Sequence, residues 1–97
     1  MIRSFKNKAT ENIFDGINSK ASRKICPKNL CRIAIRKLDQ LDSVERLEDL
    51  RIPPGNQLEA LKYDREGQHS IRINRQYRIC FYWEETGVRE VEITDYH

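Results

Sequence analysis

The chain has 97 residues and a formal net charge of +3, with 34% charged and 38% hydrophobic residues. This length and composition predict one domain, residues 1–97, of an ordinary globular protein, and they exclude membrane-spanning and low-complexity classes. The three cysteines include no C-x-x-C pair, so neither a disulfide framework nor a zinc site is predicted. No apolar run matches a signal peptide or a membrane span, and we expect a cytoplasmic protein with no membrane partner.

Basic residues are concentrated in the first part of the chain. Residues 1–38 hold ten lysines and arginines against two acidic residues, whereas residues 39–97 hold eight against thirteen. A surface polarised in this way favours a polyanionic partner such as nucleic acid. A solvated basic face explains the same charge equally well, so both interpretations are kept.

The first part of the chain predicts one strand and two helices. Residues 2–6 alternate apolar and polar side chains, as a short strand does, and residues 7–16 have helical spacing that ends near Gly16. Residues 18–26 form a basic loop or a helix end, which either contacts phosphate or is a solvated linker. Pro27 suits the first turn of a second helix, which apolar spacing carries to about Asp42.

That second helix carries a stripe of like charge. Lys28, Arg32 and Arg36 follow one another at four-residue steps, and cations at this spacing repel each other by a few tenths of a kcal/mol. An acidic partner, either protein or RNA, relieves the repulsion. Basic stripes of this kind are also common on helices that are merely solvated.

A run of strand patterns follows the break at Pro53-Pro54-Gly55. The patterns cover residues 58–63, 68–74, 77–84 and 89–95, after one further helical turn over residues 43–50. The predicted fold is therefore α+β: a short N-terminal strand, two helices, and an antiparallel β-meander with the helices packed on one sheet face.

The hairpin of residues 71–81 fixes the position of two arginines. If its apolar residues share one face, the loop must contain an odd number of residues, as 74–76 does, and Arg72 then lies directly opposite Arg78. Like charges opposite each other destabilise a sheet, so an anion is expected between them.

The alternation also divides the sheet into two faces. The inner face is predicted to hold Leu61, Ile71, Ile73, Ile79, Phe81, Val91 and Ile93. The outer face is predicted to hold Lys62, Arg72, Arg78, Cys80, Tyr82, Glu90, Glu92 and Thr94. Three cations fixed on a rigid sheet can stabilise the charge that develops on a phosphate under attack. His69 shares the parity of the core and is predicted to be a packing residue.

The C-terminal residues Asp95, Tyr96 and His97 are candidates for proton transfer. An imidazole titrates near neutral pH, and His97 follows a strand that leads towards the cationic face, with Asp95 able to orient it. Cys80 has no base beside it and is predicted to be inert.

Taken together, the motifs resemble the HigB toxins of the RelE superfamily, the plasmid maintenance killer group. The resemblance is carried by residues 1–8, 58–62, 67–74, 77–81 and 95–97, which read MIRSFKNK, LEALK, GQHSIRIN, YRICF and DYH. It implies a compact RelE-type sheet and a ribosome-dependent endoribonuclease that cuts mRNA in the 30S decoding site. The implied partner is a HigA-type helix-turn-helix antitoxin, through which operator DNA is reached only indirectly.

The resemblance also implies roles for individual residues. Arg78 steadies the scissile phosphate, Lys62 and Arg72 bind neighbouring phosphates, and His97 transfers protons beside Asp95 and Tyr96. The attacking group is the 2′-hydroxyl of the RNA, so no metal or cofactor is required. Arg75, Lys28, Arg32 and Arg36 complete the predicted RNA-binding set.

One position departs from the family pattern. Members often carry Leu-His-x-Leu-Lys, and Glu59 stands where that histidine is expected. Glu59 either replaces the histidine as base or leaves a weaker enzyme. Two other functions fit the same fold: a ParE-like toxin that cuts no RNA, and an RNA-binding module without catalysis.

Overall fold

The structure, a computed structural model, describes residues 1–95. Its helices are α1 (Lys8–Phe14), α2 (Lys20–Ile25) and α3 (Lys28–Ser43). Its strands are β1 (Glu59–Ala60), β2 (His69–Arg72), β3 (Tyr77–Glu84) and β4 (Gly87–Asp95), which form one antiparallel sheet in the order β1-β2-β3-β4. Short 3-10 turns cover Leu47–Arg51, Pro54–Asn56 and Tyr63–Arg65. The predicted α+β meander is confirmed. Among the described residues, no helix has the length and hydropathy needed to cross a bilayer.

One helix was not predicted as an element of its own. Residues 18–26 contain α2, which starts where the Ser19 hydroxyl accepts a hydrogen bond from the Ser22 backbone N–H at 3.0 Å. The Ser22 hydroxyl is in turn 3.0 Å from the Ser19 N–H, which completes a capping box. This reciprocal pair supports a six-residue helix that has little apolar periodicity.

The main core lies between the three helices and one face of the sheet. Ala34, Leu38 and Leu41 of α3 are fully buried and belong to the same cluster as Ile71 and Ile79 of the sheet. Burying one aliphatic side chain of this size contributes about 1.5–3 kcal/mol. The helices therefore occupy the inner face of the sheet, as the apolar alternation predicts.

The N-terminal segment extends the sheet beyond β4. Residues 2–6 run parallel to β4 through bridges at Ile2–Val88 and Phe5–Val91. The backbone N–H of Arg3 donates to the Val88 carbonyl at 2.6 Å. The predicted first strand is therefore present as two isolated bridges, and it covers the edge of β4.

The hairpin has the predicted register. Arg72 pairs directly with Arg78, and the Ile73 N–H donates to the Tyr77 carbonyl at 2.9 Å, so residues 74–76 close the hairpin. The Asn74 side-chain oxygen accepts hydrogen bonds from the backbone N–H groups of Gln76 at 2.9 Å and of Tyr77 at 2.7 Å. This Asx-type turn fixes the loop without the glycine that such loops usually carry.

A β-bulge changes the predicted face of Glu90 in β4. Cys80 lies opposite Glu92, whereas Tyr82 lies opposite Arg89, so β4 has one extra residue between these pairs. Glu90 adopts a left-handed φ of 52° at this point. Arg89 therefore takes the outer-face position predicted for Glu90, and its guanidinium lies 4.2 Å from the centre of the Tyr82 ring.

Candidate active site

The outer face of the sheet is the face turned away from the helices. One row of outer-face residues crosses all four strands: Glu59, Ser70, Cys80 and Glu92. The next row contains Arg72, Arg78 and Thr94. The register thus places a carboxylate of β1 one row away from the two arginines of the hairpin.

The short length of β1 bears on the prediction for Leu61 and Lys62. Because Glu59 pairs with Ser70, Glu59 lies on the outer face, and the pairing of β1 ends at Ala60. Leu61 is buried, as predicted, but it lies outside the main core cluster. Lys62 is exposed and precedes the turn at Tyr63–Arg65. The alternation that predicted faces for Leu61 and Lys62 ends at Ala60, because β1 is two residues long, so Lys62 lies outside the strand pairs that form the row of Arg72 and Arg78.

One end of the outer face is covered by the protein itself. The turn after β1 brings Arg65 to 3.1 Å from Glu92, and these side chains are only 25% and 18% exposed. Cys80 lies in the same row as Glu92 and is buried. Burial raises the pKa of the Cys80 thiol to about 11, which keeps it protonated and supports the prediction that it is inert. The open end of the face is therefore the end with the two arginines.

Arg78 is held by three oxygen atoms. Its Nε donates to the Ser70 hydroxyl at 2.7 Å, and one terminal nitrogen donates to the Gln57 carbonyl at 2.7 Å. The same nitrogen lies 3.8 Å from the Glu59 carboxylate. With a side chain only 11% exposed, Arg78 is a positioned cation rather than a mobile surface charge.

The loop end of the hairpin adds two further cations. Arg72 is half-buried, and its Nε donates to the Asn74 carbonyl at 3.0 Å. Arg75 is exposed within the loop. An anion was predicted between Arg72 and Arg78, and the Glu59 carboxylate supplies it in part. Among the described residues, Glu59 forms an ion pair with Arg78 and none with Arg72.

The last described residue, Asp95, lies beside this end of the sheet. Thr94 pairs with Arg78, and Asp95 pairs with Tyr77. The Asp95 carboxylate accepts a hydrogen bond from the Gln76 side chain at 2.9 Å. Tyr96 and His97 lie outside the described residues, so their predicted roles in proton transfer stay predictions.

The basic stripe of α3 lies in a different layer. Lys28, Arg32 and Arg36 are exposed, while the other side of α3 packs on the inner face of the sheet. The structure therefore does not bring these three cations together with Arg78. Any contact they make with RNA is separate from the outer face.

Two partners of Arg78 were not predicted. Ser70 could have been found, since the hairpin register places it next to Arg78 on the same face. Gln57 could not, because its carbonyl is directed by a left-handed backbone with φ of 46° just before β1. Sequence alternation carries no information about such a turn.

The arrangement of Arg78 and Glu59 suits phosphate chemistry. A guanidinium that is already oriented can bind a phosphate and stabilise the extra negative charge of a pentacovalent transition state. The Glu59 side chain is 53% exposed and stands beside that position, where its carboxylate can accept a proton. Both groups lie on strands whose pairing fixes their separation.

Comparison with known proteins gives the class of this fold and site. Residues 3–97 match the family model of HigB-like toxins, described as the RelE-like toxin of type II toxin–antitoxin system HigB. The chain is 41% identical over 83 residues to Toxin HigB-1 of Vibrio cholerae serotype O1, covering 86% of this chain and 84% of the relative. It is also 40% identical over 65 residues to an uncharacterized protein of Haemophilus influenzae, covering 67% and 64% of the two chains.

Solved structures agree on the fold. The YoeB-YefM complex from Staphylococcus aureus contains a chain with a TM-score of 0.53 and 15% identity, with 100% of this chain and 98% of that chain covered. A heterotetrameric YoeB-YefM toxin–antitoxin complex from the same organism gives a TM-score of 0.54, also at 15% identity. The protein is thus a RelE-like toxin of a type II toxin–antitoxin system. Within that class, the chain belongs to the HigB family.

Proposed function

We propose that this toxin is a ribosome-dependent endoribonuclease that cuts mRNA in the decoding site and so inhibits translation. The observation that carries the proposal is Arg78, a nearly buried guanidinium held by Ser70 and Gln57 at the open end of the outer face. A cation oriented before substrate binds stabilises the transition state without reorganisation. Family membership supports the same activity.

The proposed reaction is an attack by the RNA on itself. The 2′-oxygen forms a bond to the adjacent phosphorus while the bond from phosphorus to the 5′-oxygen breaks, which leaves a 2′,3′-cyclic phosphate and a 5′-hydroxyl. Arg78 stabilises the charge on the phosphate. Arg72, Arg75 and Lys62 bind neighbouring phosphates. No metal takes part in these steps.

Two protons move in this reaction. Glu59, beside Arg78, takes the proton of the 2′-hydroxyl, and its position supports this role because the carboxylate lies 3.8 Å from the phosphate-binding guanidinium. His97 gives a proton to the departing 5′-oxygen, with Asp95 and Tyr96 as its neighbours in the chain. General acid–base catalysis of this kind contributes about 10²–10⁴-fold to the rate.

The proposed partners are an antitoxin, the ribosome and mRNA in the cytoplasm. A HigA-type helix-turn-helix antitoxin neutralises the toxin and alone contacts operator DNA. The YoeB-YefM structures, which are toxin–antitoxin complexes, support a protein partner of this kind. The exposed cations Lys28, Arg32 and Arg36 supply additional charge towards an anionic partner.

The activity can be tested by inducing the toxin in growing bacteria without its antitoxin. We expect growth arrest and breaks within codons of translated mRNA, mapped by primer extension, and cutting of the same mRNA in vitro only when ribosomes are present. Arg78→Ala should abolish the breaks while its circular dichroism spectrum stays that of the wild type. Arrest with intact transcripts would refute the nuclease and favour a ParE-like toxin. Absence of arrest would refute the toxic activity.

A further inference from the structure

A groove on the helical layer is separate from the proposed active site. It lies between α1, α2, α3 and the loop that joins the first two helices, and it has a volume of about 210 Å³. It is lined by Ile13, Gly16, Ile17, Asn18, Ser22, Arg23, Lys28, Cys31 and Ile35. Ile17 is 51% exposed at its rim, which leaves apolar surface in contact with water.

The size of the groove favours a side-chain anchor over a small molecule. Sites for drug-sized ligands measure about 300–1,000 Å³, which is larger than this groove. The isoleucines in its lining make an apolar floor, with Ile13 buried and Ile35 half-buried. A groove of this kind takes one or two apolar side chains of a partner segment, as in helix-in-groove recognition.

The rim of the groove is positively charged. Arg23 and Lys28 line it directly. Residues 16–38 contain no aspartate or glutamate, and their seven cations are Lys20, Arg23, Lys24, Lys28, Arg32, Arg36 and Lys37. An occupant that is complementary in charge is therefore acidic as well as apolar.

We propose that this groove is the docking site for an acidic, amphipathic segment of the antitoxin. The segment inserts one or two large aliphatic side chains between Ile13, Ile17 and Ile35 and places carboxylates against Arg23 and Lys28. RNA would match the rim but not the apolar floor, so a protein segment fits both features. This inference rests on the proposed function in that the partner is an antitoxin.

The test measures binding of the antitoxin encoded beside the toxin gene, using purified proteins and isothermal titration calorimetry. Ile17→Ser should weaken binding at least tenfold, because it removes apolar contact from a side chain that is already half exposed and need not perturb folding. The matched control is Ile52→Ser, since Ile52 is 73% exposed and does not line the groove. It should bind within twofold of the wild type.

A second pair of variants tests the charged rim. Lys28→Glu should weaken antitoxin binding at least tenfold at low salt and less at high salt. The matched control is Lys6→Glu, which changes the net charge equally at an exposed residue away from the groove and should have little effect on binding. Ile17→Ser, at a residue with no proposed contact to RNA, should still arrest growth, and co-expressed antitoxin should no longer relieve that arrest.

Two results would overturn the docking site. One is wild-type antitoxin affinity in both Ile17→Ser and Lys28→Glu. The other is a loss of ribosome binding in Lys28→Glu with antitoxin binding unchanged, which would make the rim an RNA contact. The proposed nuclease is tested separately, because antitoxin affinity is measured in vitro whether or not the wild type cuts mRNA.

Discussion

The carboxylate of Glu59 lies 3.8 Å from the guanidinium of Arg78, although the two residues are on strands separated by β2. If Arg78 binds phosphate as proposed, the negative charge beside it has two consequences. It competes with phosphate for the cation, and it provides a proton acceptor next to the reacting atoms. The first effect weakens RNA binding and the second increases the cleavage rate. Measurements of binding and of cleavage therefore separate the two effects.

Glu59→Gln should lower the rate of mRNA cleavage by about 10²–10⁴-fold, because the amide cannot accept the 2′-hydroxyl proton. RNA affinity should stay the same or increase, since the substitution removes a charge that repels phosphate. Single-turnover cleavage on ribosomes and binding to a non-cleavable 2′-deoxy substrate measure the two quantities. Glu66→Gln, at an exposed turn residue, is the matched control. Unchanged or faster cleavage in Glu59→Gln would exclude Glu59 as the base.

Ser70→Ala should reduce cleavage roughly tenfold, since the Ser70 hydroxyl accepts the 2.7 Å hydrogen bond that orients Arg78. The substitution also leaves the Arg78 Nε–H without its acceptor, and an unpaired buried donor costs about 1–3 kcal/mol of stability. Ser70→Thr keeps the hydroxyl and should restore the rate. A purely structural role predicts lower stability in Ser70→Ala with normal cleavage by the folded fraction, and that result would contradict the positioning role.

Asn56→Ala should lower the free energy of unfolding by about 2–3 kcal/mol, measured by urea denaturation. Asn56 is fully buried, and its side-chain amide donates at 3.0 Å to both the Leu50 carbonyl and the Gln40 side chain. The substitution leaves these acceptors without their donor. Asn29→Ala, at an exposed position of α3, should change stability by less than about 0.5 kcal/mol. Equal effects at the two positions would contradict the structural role of Asn56.

Gly87→Ala should destabilise the protein by about 2 kcal/mol or more, because an added Cβ would lie 2.6 Å from the Met1 carbonyl oxygen. The φ of Gly87 is also +143°, which other residues rarely adopt. Thermal unfolding compares it with Gly55→Ala, where no atom lies within 4 Å of the new Cβ. Wild-type stability in Gly87→Ala would show that the N-terminal segment can move away without loss.

The Cys80 thiol should make stability fall in alkaline solution. Its pKa is raised from 9.0 to about 11 by burial, so between these values the unfolded chain releases a proton that the folded chain keeps. The contribution of the protonated Cys80 thiol to the free energy of unfolding is therefore fully present below pH 9 and is lost as the pH rises towards 11. At pH 10 the loss is about 1 kcal/mol. Urea denaturation at pH 7.5 and pH 10 should give a smaller difference for Cys80→Ala than for the wild type. An equal difference would contradict the assignment.

The sequence predicts this fold best where side-chain alternation is long. The opposition of Arg72 and Arg78 follows from parity alone, because a slip of one residue would expose every apolar residue of the hairpin. Parity fails at Lys62, since β1 is two residues long, and at Glu90, since a bulge adds one residue that no local pattern indicates. The helix α2 was missed as a separate element because its cap, rather than an apolar stripe, defines it.

The candidate site was predictable in part for the same reasons. Family resemblance and parity both point to Arg78, and resemblance alone singled out Glu59. Their proximity depends on the register of β1 on β2 and of β2 on β3, which places Glu59 one row from Arg78. The distance between Glu59 and Arg78 is set by backbone geometry over three strands. No local sequence pattern predicts it.

The bridges that join residues 2–6 to β4 also determine when the fold can be completed. Ile2 and Phe5 are made well before their bridge partners Val88 and Val91, which lie far along the chain. Contacts between such distant parts of a chain form late and slow the folding reaction. The nascent polypeptide cannot close this side of its sheet while β4 is still being translated, so the segment of residues 2–6 remains without its bridge partners until β4 has been made.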